Sequence, residues 1–315
     1  MHGRWQRGSC EGCYGVFRMQ IAGPRAFLAP AITAGLVSLV VIAFAVTTNA
    51  PYWAYLAVPI AIIVVLLPTL RRASRRRALA QKPFPQEWRK LLERRVPYYE
   101  RLDEPGRRTF EFDIQVFLSE QTIYAPANGG GMAPVDDSVR VLIAASAAMI
   151  LHGRPDLEWP TVRDIVVYPT KFDDDYTIGE GNIAGMVHAQ GPVLISKKDL
   201  VHGFRRAHDG HNVALHELAH VLDFGTGSAD GLPRGLEFVA AAPWVEVVAD
   251  RLKTVRRRKY RHVLRDYAGT NEAELFAVAV EAFFEQPGKL KKRDPELYSM
   301  LREYFNQDTA LLFTR

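Results

Sequence analysis

From Ala26 to Thr47 the chain runs 22 residues without a charge, and from Tyr52 to Leu70 another 19, with only the uncharged turn Thr48-Asn49-Ala50-Pro51 between them. At about 1.5 Å per residue the runs span ~33 and ~28 Å as helices, close to the ~30 Å of a bilayer's hydrocarbon layer. The pattern predicts two transmembrane helices, 26–47 and 52–70, forming a hairpin. Tyr52, Trp53 and Tyr55 lie at the turn, where ring side chains favour the membrane interface. Arg71, Arg72, Arg75, Arg76 and Arg77 follow the second run, and Arg18 and Arg25 precede the first, so both ends are expected on the cytoplasmic side. A cleaved signal peptide in place of the first run would leave the following domain on that same side. Pro59 and Pro68 in the second run are better tolerated in a membrane helix than in a soluble one.

Beyond Lys82 the pattern becomes that of a globular domain. Residues 83–124 read as helical, opening at Pro83-Phe84-Pro85 and breaking near Pro105-Gly106, with Phe110, Ile114, Phe117 and Leu118 at helical spacing. A loop at Asn128-Gly129-Gly130-Gly131 precedes a helix from about Asp136 to Leu151. Short β-like runs follow at Ile165–Tyr168, Met186–His188 and Val193–Ile195. Gly191-Pro192 between the last two indicates edge-type strands. Helices with a small mixed sheet make the fold class α+β.

Charge sharpens this division. The 315 residues carry 40 Lys and Arg against 35 Asp and Glu, a net +5, with a pI near 9.2. Residues 1–82 hold ten of the bases and one acid, Glu11, for +9, which leaves 83–315 at −4. The basic pI therefore belongs to the membrane-facing part, and no nucleic-acid partner is expected. An apolar fraction of 48% excludes disorder, and two cysteines exclude a disulfide scaffold. Cys10 and Cys13 form a lone CxxC without the further ligands a zinc site needs, and initiation at Met19 would remove this leader altogether.

The chemistry sits in Val213-Ala214-Leu215-His216-Glu217-Leu218-Ala219-His220-Val221-Leu222, an HExxH within an apolar helix. Side chains four apart share a face, so His216 and His220 can reach one ion while Glu217 projects beside it. Zinc so held polarises a carbonyl and acidifies water, and Glu217 is the candidate general base. A catalytic zinc needs a third protein ligand. Glu274 is the preferred one, on a helix from Thr270-Asn271 to Gln286-Pro287-Gly288; its competing reading is the reciprocal glutamate of a capping box with Asn271. Glu281, seven residues on, is the reserve ligand or a hydrogen-bond partner. Asp223 shares the histidines' face a turn further along and reads as a carboxylate that orients an imidazole.

His216–Asp223 and Tyr267-Ala268-Gly269-Thr270-Asn271-Glu272-Ala273-Glu274-Leu275-Phe276-Ala277-Val278, together with Pro83-Phe84-Pro85, Trp88, Gln115–Leu118, Val167-Tyr168-Pro169 and Gly191-Pro192-Val193, resemble the Mlc titration factor A family of zinc-dependent peptidases. The likeness covers about residues 83–310. It implies zinc on His216, His220 and Glu274, Glu217 as base, a zincin-like domain and aminopeptidase-like cleavage. The domain is also similar to that of anthrax lethal factor, whose tyrosine seven residues before the glutamate ligand assists the reaction. Tyr267 holds that position here.

Of the remaining candidates, His202, His208 and His211 read as solvated, His188 as an edge-strand substrate contact, Arg256-Arg257-Arg258-Lys259 with Arg261 as a solvated helix face, and Asp173-Asp174-Asp175 as a polar loop. The expected organisation is a basic leader (1–25), two transmembrane helices (26–70), an Arg-rich linker (71–82) and a zinc peptidase domain (83–315) at the cytoplasmic face of the inner membrane. Expected partners are a peptide or protein substrate and membrane lipid around the hairpin. The alternative function is a membrane-tethered regulatory protein that sequesters a partner such as a transcriptional regulator, with a structural or vestigial zinc site.

Overall fold

A computed structural model of the chain describes residues 24–127, 131–159, 164–171, 184–187, 191–224, 231–236, 238–257 and 264–314. Cys10, Cys13, Asp173–Asp175, His188, Arg258, Lys259, Arg261 and the loop residues 128–130 lie outside them. The chain divides into two compact units, Met1–Pro83 and Phe84–Arg315.

In the first unit, helix α1 (Pro24–Thr47) and helix α2 (Ala57–Ala80) flank a 3-10 turn, Tyr52–Leu56, and pack on each other. Both are long and apolar enough to cross a bilayer, over Pro30–Thr47 and Ala57–Ala80. Leu39, Val40, Phe44, Ile60 and Val64 point outwards. Two hydroxyls of α1 are satisfied within the helix: Ser38 Oγ donates to the Ala34 carbonyl at 2.6 Å and Thr47 Oγ1 to that of Ala43 at 2.9 Å. Helix α2 continues through the arginine cluster instead of ending at Leu70. Arginine is a strong helix former, and neither glycine nor proline intervenes between Leu70 and Ala80.

In the second unit, the stretch 83–124 resolves into α3 (Gln86–Arg95), α4 (Pro97–Arg101) and α5 (Glu104–Glu120). Pro97 and Pro105 each sit in the first turn of a helix, where a missing N–H costs nothing, and Asp103 caps α5 by accepting from the Gly106 amide at 2.9 Å. The helical reading fails at its end, because Ile123–Ala127 forms strand β1, hairpinned to β2 (Gly131–Pro134). These short strands lack a periodicity strong enough to announce them; pairing with β3 (Ile165–Tyr168) decides their state.

Helix α6 (Asp137–Leu151) is buried on all sides from Val141 to Ile150, as its Ala, Val and Ile content requires. The sheet order is β2-β1-β3-β5-β4, with β4 at Gly185–Val187 and β5 at Val193–Ser196. β1, β3 and β5 run parallel, and β2 and β4 are antiparallel to their neighbours. Ile165, Val167, Val193 and Ile195 face the main core; Val166 and Leu194 take the other face with Tyr124, Tyr168 and Met186. Only one of the two expected edge strands is an edge: β4 is, whereas β5 lies between β3 and β4 and is fully buried. Pro192 precedes β5, so it removes no ladder hydrogen bond from the strand itself. Then follow α7 (Lys197–Arg205), α8 (Val213–Asp223), α9 (Phe238–Arg257), a 3-10 turn (Asp266–Gly269), α10 (Glu272–Glu285), α11 (Pro287–Arg293), α12 (Pro295–Phe305) and α13 (Thr309–Thr314).

His152, at the C-terminal end of α6, is wedged edge-on against Tyr98 at 5.9 Å and Phe110 at 6.0 Å. Its Nδ1 is buried without a hydrogen bond among the described residues, and burial pulls its pKa down to about 4 against a weaker pull upwards from Asp103. Between the ordinary value near 6.5 and about 4 the unfolded chain binds the proton and the folded chain does not. Stability therefore rises with pH across that window and is lost as pH falls through it, by up to about 3 kcal/mol. Urea unfolding of the detergent-solubilised chain should show wild type losing more stability than His152→Phe between pH 7 and pH 4; parallel losses would assign the acid sensitivity elsewhere.

Candidate metal centre

Two buried helices each present one polar stripe, and the stripes face each other. Helix α8 starts at its N-cap Asn212, whose side chain accepts from the Leu215 amide at 3.2 Å, and carries His216 and His220 on successive turns. Helix α10 starts at Asn271, which accepts from the Glu274 amide at 2.8 Å, and carries Glu274, Glu281 and Glu285 at spacings of seven and four. Asn212 meets Glu281 and Glu285, His216 meets Glu281 and Glu274, and His220 meets Glu274, so the helices run antiparallel.

His216 Nε2 lies 3.3 Å from His220 Nε2 and 3.1 Å from Glu274 Oε2, while His220 Nε2 lies 3.5 Å from Glu274 Oε1. One ligand atom from each residue falls within 4.8 Å of the others. Ligands about 2.0–2.1 Å from a tetrahedral ion are about 3.3 Å apart, so this spacing fits a first-row dication, as does the donor set of two imidazoles and a carboxylate. Glu274 Oε2 is buried and makes no hydrogen bond among the described residues, which again suits an ion ligand. The capping-box reading holds for the backbone alone: Asn271 caps the helix, and the Glu274 side chain turns to the histidines.

Glu281 takes the orienting role. Its Oε1 lies 2.6 Å from His216 Nδ1 and also accepts from Arg265, while Oε2 accepts from the Asn212 amide at 2.9 Å. A carboxylate acceptor there assigns the proton to Nδ1 and turns the Nε2 lone pair to the cluster. Asp223, expected to orient an imidazole, instead meets a loop amide. Fully buried, it accepts from the Gly231 amide at 3.1 Å, while the Gly231 carbonyl accepts from Trp244 Nε1 at 2.7 Å. Gly231 adopts φ +74° and packs against the Glu272 carbonyl, where a side chain would be strained and would clash.

Burial is the largest single influence on His216 and lowers its pKa, but Glu281 and Glu274 outweigh it and hold it up at about 10. Burial alone would raise Glu274, yet the two imidazoles bring it down to about 2. Burial raises Glu217 to about 8, partly opposed by His216 and assisted by Glu274 and Glu281. The pocket thus attracts positive charge, and a dication must displace protons to enter it.

A cleft of about 630 Å³ opens on the cluster, lined by Gly185, His202, His211, Glu217, Arg265 and Tyr267 among others. Tyr267 is 52% exposed, and its ring sits 6.0 Å from that of His216. Burial and then the Glu274 and Glu217 carboxylates raise its phenol pKa. His202, His208 and His211 are exposed as expected but not simply solvated: His202 and His211 line the cleft, His211 Nδ1 is 2.9 Å from an Arg265 nitrogen, and the His208 amide donates to Glu285 at 2.6 Å. Arg256 is more than a solvated charge, since it donates to the Gly269 and Thr270 carbonyls at 2.7 and 2.9 Å and holds the turn behind Tyr267. Sequence reasoning passed over Arg265, Asn212, Glu285 and Gly185. Glu285 could have been found, because Glu274, Glu281 and Glu285 are the acids of one helical face in an otherwise apolar stretch.

A helical, HExxH-bearing domain with a histidine-and-glutamate cluster defines a metallopeptidase-like class of protein. The family described as glucose-regulated metallo-peptidase M90 matches residues 70–306, and the chain belongs to it. It is 29% identical over 244 residues to the uncharacterised protein slr2042 of Synechocystis, covering 73% of this chain and 87% of that one. It is 26% identical over 243 residues to Mlc titration factor A of Yersinia enterocolitica, covering 70% and 85% respectively. Mlc titration factor A of Yersinia pestis is 25% identical over 240 residues, covering 70% and 84%.

Gly185, on strand β4, lies so close to Glu217 that an added Cβ would fall 2.6 Å from the carboxyl carbon. Gly185→Ala should therefore displace the Glu217 carboxylate while leaving the three cluster residues in place. Activity should fall at least ~10-fold with metal content unchanged. A fully active Gly185→Ala protein would show that β4 is free to move away.

Proposed function

We propose that this chain is a zinc-dependent peptidase with a zincin-like domain, tethered by its two N-terminal helices so that the domain faces the cytoplasm. The observation that carries the reading is the spacing of the His216, His220 and Glu274 ligand atoms, which suits a tetrahedral ion, with buried Glu217 lining the same cleft as His216. Those three residues would hold the ion; zinc supplies Lewis acidity, polarising the scissile carbonyl and acidifying a water. Glu217 takes the proton from the attacking water and delivers it to the leaving amine. Glu217 must act as the carboxylate, a form that a cation held by His216, His220 and Glu274 would favour against the burial that raises its pKa. The Tyr267 hydroxyl donates to the oxygen on which negative charge develops. The substrate backbone lies along the outer edge of β4, within reach of Glu217. Aminopeptidase-like cleavage of small substrates is the finer expectation.

A second reading draws on the name of the Yersinia relatives: a regulatory protein that binds a partner by protein contact. Glu217 favours catalysis over that reading, because a structural metal site has four protein ligands and no use for a buried base.

For the membrane arrangement, support comes from two apolar helices followed at once by Arg71–Arg77. Glu217→Gln should keep the metal and lose ~100-fold or more in turnover, whereas Glu274→Ala should lose the metal. The check is mass-spectrometric analysis of a peptide-library digest with and without chelator, alongside metal analysis; full turnover by Glu217→Gln would overturn the mechanism. The chain should also resist alkaline extraction from membranes, and protease added to sealed right-side-out vesicles should spare residues 84–315. Cleavage there would reverse the topology.

A further inference from the structure

Three carboxylates, the buried Glu217 and Glu281 and the half-buried Glu274, lie close to the histidine pair. A bound dication brings two positive charges against these three negative ones, and buried charges persist only when compensated. Arg265 is placed to supply the third. One of its terminal nitrogens donates to Glu281 Oε1, the same oxygen that holds His216 Nδ1, and the other lies 2.9 Å from His211 Nδ1. Its side chain is 30% exposed and forms part of the cleft wall. It stands two residues before Tyr267, immediately ahead of the 3-10 turn Asp266–Gly269 that packs on α9 and α10. One planar fork thus ties three things together: the carboxylate behind a candidate ligand, a cleft histidine and the backbone that carries the cleft tyrosine. A lysine is a point charge on a flexible stem and cannot bridge both partners in this way.

We propose that Arg265 is a positioning residue for hydrolysis at this centre: it offsets the charge of Glu281, so fixing His216 by its Nδ1, and it seats the turn that carries Tyr267 over the cluster. This rests on the metallopeptidase reading but reaches a residue outside its reacting set. Arg265 acts through Glu281 and the 265–269 backbone rather than on the substrate.

The test uses the full chain in detergent, with Arg265→Gln and Arg265→Lys. Zinc affinity is read by competition with a chromophoric chelator, the ligand field by the visible spectrum of the cobalt-loaded protein, and turnover with a quenched-fluorescent peptide pool at saturating zinc. Arg265→Gln should bind zinc ~10–100-fold more weakly and change the cobalt spectrum. It should also turn over ~10–100-fold more slowly with half-saturation unchanged. Added guanidinium ion, but not ammonium at equal ionic strength, should restore part of both. Wild-type zinc affinity and cobalt spectrum in Arg265→Gln, or a loss confined to half-saturation, would overturn the proposal. If Arg265→Gln does not fold, Arg265→Lys decides: an intermediate zinc affinity supports the proposal and wild-type affinity overturns it. Should the wild-type chain cleave nothing, the peptidase reading fails, while the zinc and cobalt measurements still judge Arg265.

Discussion

The buried contact between Glu281 and His216, 2.6 Å long, is the interaction on which the centre depends. Helices α8 and α10 are apolar over most of their surface, so burial would drive them together in many rotations. Their one shared polar stripe selects a single one, because any other would leave buried carboxylates and imidazoles without partners, at several kcal/mol each. With that rotation set, His216 Nε2, His220 Nε2 and Glu274 must converge. The polar stripe thus specifies the packing of the core and assembles the cluster in the same act.

The supports around it act at the helix ends. Asn212 caps α8 and also donates to Glu281 and Glu285 from α10, so the start of one helix is tied to the far half of the other. Asn271 caps α10 at the turn from which Glu274 projects. Asp223, Gly231 and Trp244 fasten the segment beyond α8 to α9, and Arg256 and Arg265 hold the short turn before α10. On the opposite side β4 closes over Glu217, which only a glycine at position 185 permits. These supports stand outside the cluster of His216, His220 and Glu274, yet each removes a way for it to loosen.

The elements most legible in the sequence were those with strong local signals. Helix α6 runs from Asp137 to Leu151 against an expected start at Asp136, and α10 lies between the Asn271 and Pro287 signals that mark its ends. β3 falls on Ile165–Tyr168 as its β-branched run predicts. β1 was lost within a helical reading because Ile123-Tyr124-Ala125-Pro126-Ala127 has no alternation to oppose the pattern upstream. β5 was misplaced at an edge because a proline beside a strand and a proline within one look alike until the pairing is known. Glu281 is the hydrogen-bond partner that the sequence allowed as one of its two readings, whereas the orienting role expected of Asp223 does not fall to it, although both lie on faces that point towards the cluster. Only the distance between helices decides that Glu281 reaches an imidazole while Asp223 meets a loop amide.

By itself the sequence determined the two apolar N-terminal runs with their flanking arginines, the division of charge between +9 and −4, and the HExxH that puts His216, His220 and Glu217 on one turn-and-a-bit of helix. These follow from composition and from 3.6-residue periodicity, which are local. Tertiary structure alone decided that the Glu274 side chain turns to the histidines and not to its own helix end, that Glu281 and not Asp223 accepts from the His216 imidazole, and that Arg265 and Gly185 stand at the same cleft. Those facts depend on how separate helices and strands pack. Packing is set by the sum of many weak contacts over the whole core, and no short stretch of the chain records it.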